Sequence, residues 1–141
     1  MIFLFLSFSA LANNNYTSHF DLQSINFVQN TIDVSKSDKT LYFSLRAYSQ
    51  LGLNRVIVYF QSPSGKETVE TSCVNKKKTK VGLLLGRVLF KKKSEIGEWI
   101  INKIVIEDLE GNQHAYDKDF LIANNFTHSL FVKSKGNRLR K

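Results

Sequence analysis

A side-chain period of two is the feature that most narrows what this chain can fold into. In Leu41-Tyr42-Phe43-Ser44-Leu45-Arg46-Ala47, the residues Leu41, Phe43, Leu45 and Ala47 fall on one face and Tyr42, Ser44 and Arg46 on the other. That is the signature of a strand with one dry face and one wet face. Residues 55–60 repeat it with Val56, Val58 and Phe60 on one side. Over 99–107, Trp99, Ile101 and Val105 alternate against Ile100, Ile104 and Ile106. A strand apolar on both sides is expected to be central in its sheet. Residues 67–74 read as a polar edge strand, and 81–90, 113–116 and 125–132 supply three more. No segment sustains a 3.6-residue period; the nearest to helix are short turns at Ser94-Glu95-Ile96 and at 121–124.

Turn chemistry separates these runs. Ser62-Pro63-Ser64-Gly65 combines a fixed φ with a residue that tolerates positive φ, and Asp108-Leu109-Glu110-Gly111-Asn112 does the same work with acidic and amide side chains. Lys76-Lys77-Lys78-Thr79-Lys80 reads as the tip of a hairpin, and Lys91-Lys92-Lys93 ends the strand that follows it. Seven or more short strands with turns between them imply an all-β antiparallel sandwich or barrel. No internal repeat is present, so the strands form one unit.

The first residues follow a different pattern. Ile2-Phe3-Leu4-Phe5-Leu6 opens an apolar run that closes on Ala10-Leu11-Ala12, followed by Asn13, Asn14 and Asn15. The run is shorter than the roughly 20 residues needed to cross a bilayer. With small residues in an Ala-x-Ala arrangement it reads as a signal peptide over 1–12, cleaved after Ala12, although no Lys or Arg precedes it. A polar linker over 13–19, a β domain over 20–133 and a flexible basic tail over 134–141 complete the expected organisation. The mature chain then carries no membrane-crossing segment and resides outside the cytoplasm, secreted, periplasmic or at the cell surface.

Four places together resemble a bacterial immunoglobulin-like domain of secreted and surface proteins. They are Leu51-Gly52-Leu53 leading into a strand that ends Phe60-Gln61-Ser62-Pro63-Ser64-Gly65, then Gly97-Glu98-Trp99 opening a strand, then Asp108-Leu109-Glu110-Gly111-Asn112. The last is Tyr116-Asp117-Lys118-Asp119-Phe120-Leu121, shortly before Asn125-Phe126. The resemblance spans 20–133 and implies an immunoglobulin-like antiparallel β-sandwich of seven or more strands. By the same resemblance the chain would be a non-catalytic module: a spacer, adhesion or accessory binding domain facing a protein or glycan at the cell surface. Two departures stand out. Tyr48-Ser49-Gln50 occupies the place where such domains often carry acidic residues, and such domains usually sit within longer proteins.

Individual residues divide into core and surface. Trp99, Leu41, Phe43, Val58, Phe60 and Ile101 are the expected structural core. Trp99 also has a rival role in stacking against a sugar, and its indole N–H needs a partner. Cys73 is the one cysteine, so no intrachain disulfide forms, and it reads as a half-buried strand residue. Asp108, Glu110 and Asn112 place oxygen-bearing side chains at alternate positions, a candidate calcium arrangement, since calcium gathers six to eight oxygens. A plain turn explains the same residues, and truncating Asp108 in a plain turn costs little.

The net charge of +8 is unevenly distributed: residues 13–75 hold five basic and five acidic side chains, whereas 76–141 hold fifteen and seven. The candidate anion-binding residues are Lys76, Lys77, Lys78 and Lys80, then Lys91, Lys92 and Lys93 at the opposite end of one strand, and Arg138, Arg140 and Lys141 in the tail. They suit weak attraction to anionic polymers, and exposed aromatics beside them suit carbohydrate; no base-reading motif points to sequence-specific nucleic-acid binding. No Gly-x-Ser-x-Gly elbow, His-Glu-x-x-His or phosphate-binding loop occurs, and His19, His114 and His128 are far apart. The residues therefore imply no catalysis and no cofactor. Expressed with its own leader in a Gram-negative host, the mature protein should begin at Asn13; N-terminal sequencing that returns Met1 on soluble cytoplasmic protein would overturn the export reading.

Overall fold

The computed structural model describes residues 19–134. The leader at 1–12, residues 13–18 of the linker, and Lys135, Arg138, Arg140 and Lys141 of the tail lie outside the described residues. In chain order the elements are β1 (Phe20–Phe27), β2 (Thr31–Asp33), β3 (Lys39–Ser49), β4 (Leu53–Gln61), β5 (Thr68–Val74), β6 (Val81–Phe90), β7 (Gly97–Asp108), β8 (Gln113–Asp117), a short helix α1 (Lys118–Ala123) and β9 (Ser129–Lys133). They form two packed sheets. One has the order β1-β3-β6; the other runs β2-β9-β7-β4-β5, with β8 also paired to β7. This is an all-β sandwich with a core between its two sheets. One pairing departs from the antiparallel rule: β2 runs parallel to β9.

β7 organises the larger sheet, as its apolar content implies. β4 lines one side of it along most of its length. On the other side β9 pairs with 97–100 and β8 with 103–107. Between β8 and β9 the chain makes α1, where a turn over 121–124 was expected. Asp117 caps the helix by accepting from the Phe120 N–H at 2.9 Å, and Leu121 anchors it in the core. The last strand begins at Ser129 and not at residue 125, because Asn125 takes a positive φ of 60° that breaks an extended run.

The alternation in β7 is interrupted. Tyr59 pairs with Lys103 and the next residue, Phe60, pairs with Ile101, so Asn102 is an extra residue opposite β4. Such a bulge reverses which face later side chains occupy. Trp99 and Ile101 before it and Ile104 and Ile106 after it therefore all point into the core at 0 % exposure. The sequence pattern had set Ile104 and Ile106 on the face opposite Trp99. Asp108 shares their phase and is drawn inward with them.

Leu41, Phe43, Val58 and Phe60 lie in the same core. The aromatic rings make contacts that alternate between the sheets: Phe43 to Phe60 at 6.1 Å, Phe60 to Phe90 at 6.2 Å, and Phe90 to Trp99 at 5.1 Å, each edge-to-face. Phe27 of β1 touches both Phe43 and Phe60. The Trp99 indole N–H donates to the Glu95 carbonyl at 2.8 Å, so the polar tip of the ring is satisfied without solvent. Trp99→Ala would remove a ring and strand a carbonyl, and should lower stability by about 3–5 kcal/mol. Chemical denaturation measures this; an unchanged midpoint would mean that the ring does not fill the core.

Candidate functional site: a lysine-bearing cluster of three loops

The loops at 49–54, 75–80 and 108–112 meet at one end of the sandwich. Their backbones are bonded to one another. The Ser49 N–H donates to the Lys80 carbonyl at 2.8 Å, Leu53 N–H to Thr79 at 2.9 Å, and Leu109 N–H to Gly52 at 3.0 Å. Gly52 has a φ of +98°, and the Leu109 side chain fills the space its Cβ would need. Leu51-Gly52-Leu53 and the Asp108 turn, separate in sequence, are thus one contact in the fold.

The lysine loop is not a hairpin tip. β5 belongs to the larger sheet and β6 to the smaller, so 75–80 crosses from one sheet to the other. Asn75 secures the crossing: it is buried, its N–H donates to Asn54 O at 2.8 Å, and its Nδ2 donates to Leu53 O at 2.9 Å and Thr79 O at 3.0 Å. Lys76, Lys77, Lys78 and Lys80 then project into solvent. Among the described residues they form no salt bridge; the pair near this end is Arg55 with Glu107, at 3.0 Å. Glu107 also accepts from Asn54 and Gln113, each at 3.1 Å. The Gln113 bond first, then Arg55 and Asn54, hold its carboxyl below the ordinary carboxylate range against partial burial.

Asp108 is fully buried, because the bulge in β7 turns it inward. Its Oδ1 accepts from the N–H groups of Glu110 at 2.9 Å and Asn112 at 2.8 Å, and its Oδ2 accepts from Asn112 Nδ2 at 2.9 Å. Both carboxylate oxygens thus organise the turn, while Glu110 is exposed. The three candidate calcium residues therefore do not converge on a common centre, and among the described residues no cluster of three or more His, Cys, Asp and Glu is placed to hold a metal.

Lys91, Lys92 and Lys93 lie at the far end of β6 and differ in surroundings. The Lys92 N–H donates to Asp38 Oδ1 at 2.7 Å. All three lysines border a depression of about 440 Å³ that Asp38 and Glu67 also line, so its potential is mixed. Beside the first cluster a groove of about 820 Å³ runs between 74–79 and the start of β6, with Val74, Val81, Leu83 and Leu85 among its walls and Lys76 and Lys77 at its rim. In sequence, residues 81–90 read only as a strand; that they are apolar at both odd and even positions is the signal that could have revealed an outer apolar row. Cys73 is more deeply placed than expected. Burial pushes its thiol up to about 11, so it stays protonated near neutrality and is a poor nucleophile.

No protein-family model matches the chain, and no curated protein does. Among solved structures the chain is similar to Cwp6 from Clostridium difficile, with a TM-score of 0.50 over 83 % of this chain at 14 % identity. At that identity the likeness is one of fold. The chain spans 17 % of the length of that protein.

Burial changes what Asp108 is worth. Asp108→Ala would leave two backbone donors and one amide in the turn without their acceptor and should cost roughly 2–4 kcal/mol, where a solvent-exposed turn residue would cost far less. Added calcium should not shift the melting temperature of the parent protein. Either a negligible loss on substitution or a calcium-dependent rise in melting temperature would contradict the structural role.

Proposed function

We propose that this chain is a non-catalytic, exported module of the bacterial immunoglobulin-like kind, serving as a spacer, adhesion or accessory binding domain at the cell surface. The observation that carries the reading is the three-loop end: backbone hydrogen bonds and buried Asn75 and Asp108 hold three loops in one arrangement and leave on it four exposed lysines that form no salt bridge among the described residues. In variable immunoglobulin domains recognition likewise uses loops gathered at one end of a sandwich. At this end the carboxylates of Asp108 and Glu107 are engaged in holding the loops. Its work is presentation, and rigid loops reduce the ordering cost of binding. The apolar leader and the resemblance in its loops support an exported setting.

The exposed lysines favour a second reading, a polyanion- or carbohydrate-binding protein. Each lysine paired with a fixed anion releases a condensed counterion, so such binding weakens steeply with salt. A glycan array separates a specific sugar ligand from a purely structural spacer. On a heparin column at low salt the chain should be retained, and Lys76→Gln/Lys77→Gln/Lys78→Gln should elute at lower salt. Deleting 134–141, which removes Lys135, Arg138, Arg140 and Lys141, measures the share of the tail. Retention unaltered by either change would make the charge a solubility feature and end the polyanion reading.

A further inference from the structure

β6 carries two rows of side chains. Leu84, Gly86, Val88 and Phe90 face the core, while Val81, Leu83, Leu85 and Leu89 face solvent; Leu83 is 59 % and Leu85 79 % exposed. The outer row belongs to a sheet face and not to a closed cavity. Across the β3–β6 register Leu83 sits beside Arg46, Arg87 beside Tyr42, and Val81 beside Tyr48. The strand is bounded by Lys76, Lys77, Lys78 and Lys80 before it and by Lys91, Lys92 and Lys93 after it. At roughly 3.3 Å per residue, the two clusters stand about 30 Å apart with an apolar row between them.

We propose that this outer face of β6 docks on an anionic lipid surface, with the leucines entering the boundary between headgroups and acyl chains and the lysines at both ends meeting lipid phosphates. Charge complementarity selects this occupant. A planar anionic surface meets Lys76, Lys77, Lys78, Lys80, Arg46 and Arg87 together, with Lys91, Lys92 and Lys93 adding less because Asp38 and Glu67 lie beside them. The long stems let the charged heads reach headgroups beside buried leucines. A second copy packed by two-fold symmetry would set these cations against their own kind. An added peptide strand finds the edge of β6 interrupted, because Thr71 Oγ1 donates to the Arg87 carbonyl at 2.9 Å and the 75–80 loop closes on its start. A soluble polyanion would engage the lysines and leave the leucines wet. The assignment rests on the reading of the chain as a binding module and names the partner of one of its faces.

The test is co-sedimentation of the full chain with phosphatidylcholine vesicles containing about 30 mol % phosphatidylglycerol and with pure phosphatidylcholine vesicles, at about 0.1 M salt. Two variants are compared with the parent, so that contributions from the rest of the chain cancel. Leu83→Gln/Leu85→Gln changes exposed positions only, and its melting temperature should match the parent. Binding to anionic vesicles should fall about tenfold in this variant and roughly 100-fold in Lys76→Gln/Lys77→Gln/Lys78→Gln, at about fivefold per lysine near the surface. Pure phosphatidylcholine should bind weakly. Heparin retention should be unaffected by the leucine pair. Equal vesicle binding by parent and leucine variant would overturn the docking proposal, as would a parent that ignores vesicles but forms a dimer that the leucine pair dissolves. In either case unchanged heparin retention would leave the module reading standing.

Discussion

Everything else in the fold depends on the contact between rings that cross from sheet to sheet. Phe43 comes from the smaller sheet, Phe60 from the larger, Phe90 from the smaller and Trp99 from the larger, and each meets the next edge-to-face. Rings placed so bury large areas and also fix how far the sheets can slide, because each edge has one favourable approach to its neighbour's face. The contact demands that four strands present the correct face at the correct height. The extra residue at Asn102 meets that demand in β7: it lets Trp99 and Ile101 share a face with Ile104 and Ile106 although their spacing is odd.

The same shift of phase reaches the loop end. Asp108 is inside because Ile104 and Ile106 are inside, and once buried its carboxylate must find donors, which the turn at 109–112 supplies. Asn75 solves the equivalent problem on the crossing between sheets. Buried polar side chains thereby convert three separate loops into one surface. Two carboxylates near that surface are turned to holding it together: Glu107 bonds Arg55, Asn54 and Gln113, and Asp108 bonds its own turn.

Much of this was legible in the chain. β3 alternates along its whole length and β4 keeps Val56, Val58 and Phe60 on one inward face, so the core residues Leu41, Phe43, Val58 and Phe60 could be named from period alone. β1 could not, because a register shift between Leu22 and Ser24 sets its buried residues Leu22 and Ile25 three apart. β2 is only three residues long and is defined by its pairing with β9. Bulges, like the one in β7, are decided by the partner strand and leave little trace in one sequence. The site was legible in part: lysine loops and the Asp108 turn were visible, but their meeting at one end follows from long-range pairing. The depth of Asp108 and Cys73 was hidden for the same reason.

Gly86 is paired with Phe43 across β3 and β6, and the Phe43 ring lies over it where any Cβ would stand. The glycine is needed there for space, since the first ring of the cross-sheet series rests on its bare backbone. These two positions are therefore a single heritable unit. A side chain at 86 would have to displace the ring at 43, and a smaller residue at 43 with glycine kept at 86 leaves a void over an uncovered strand. Evolution along this fold should move the two sites in step or leave both alone.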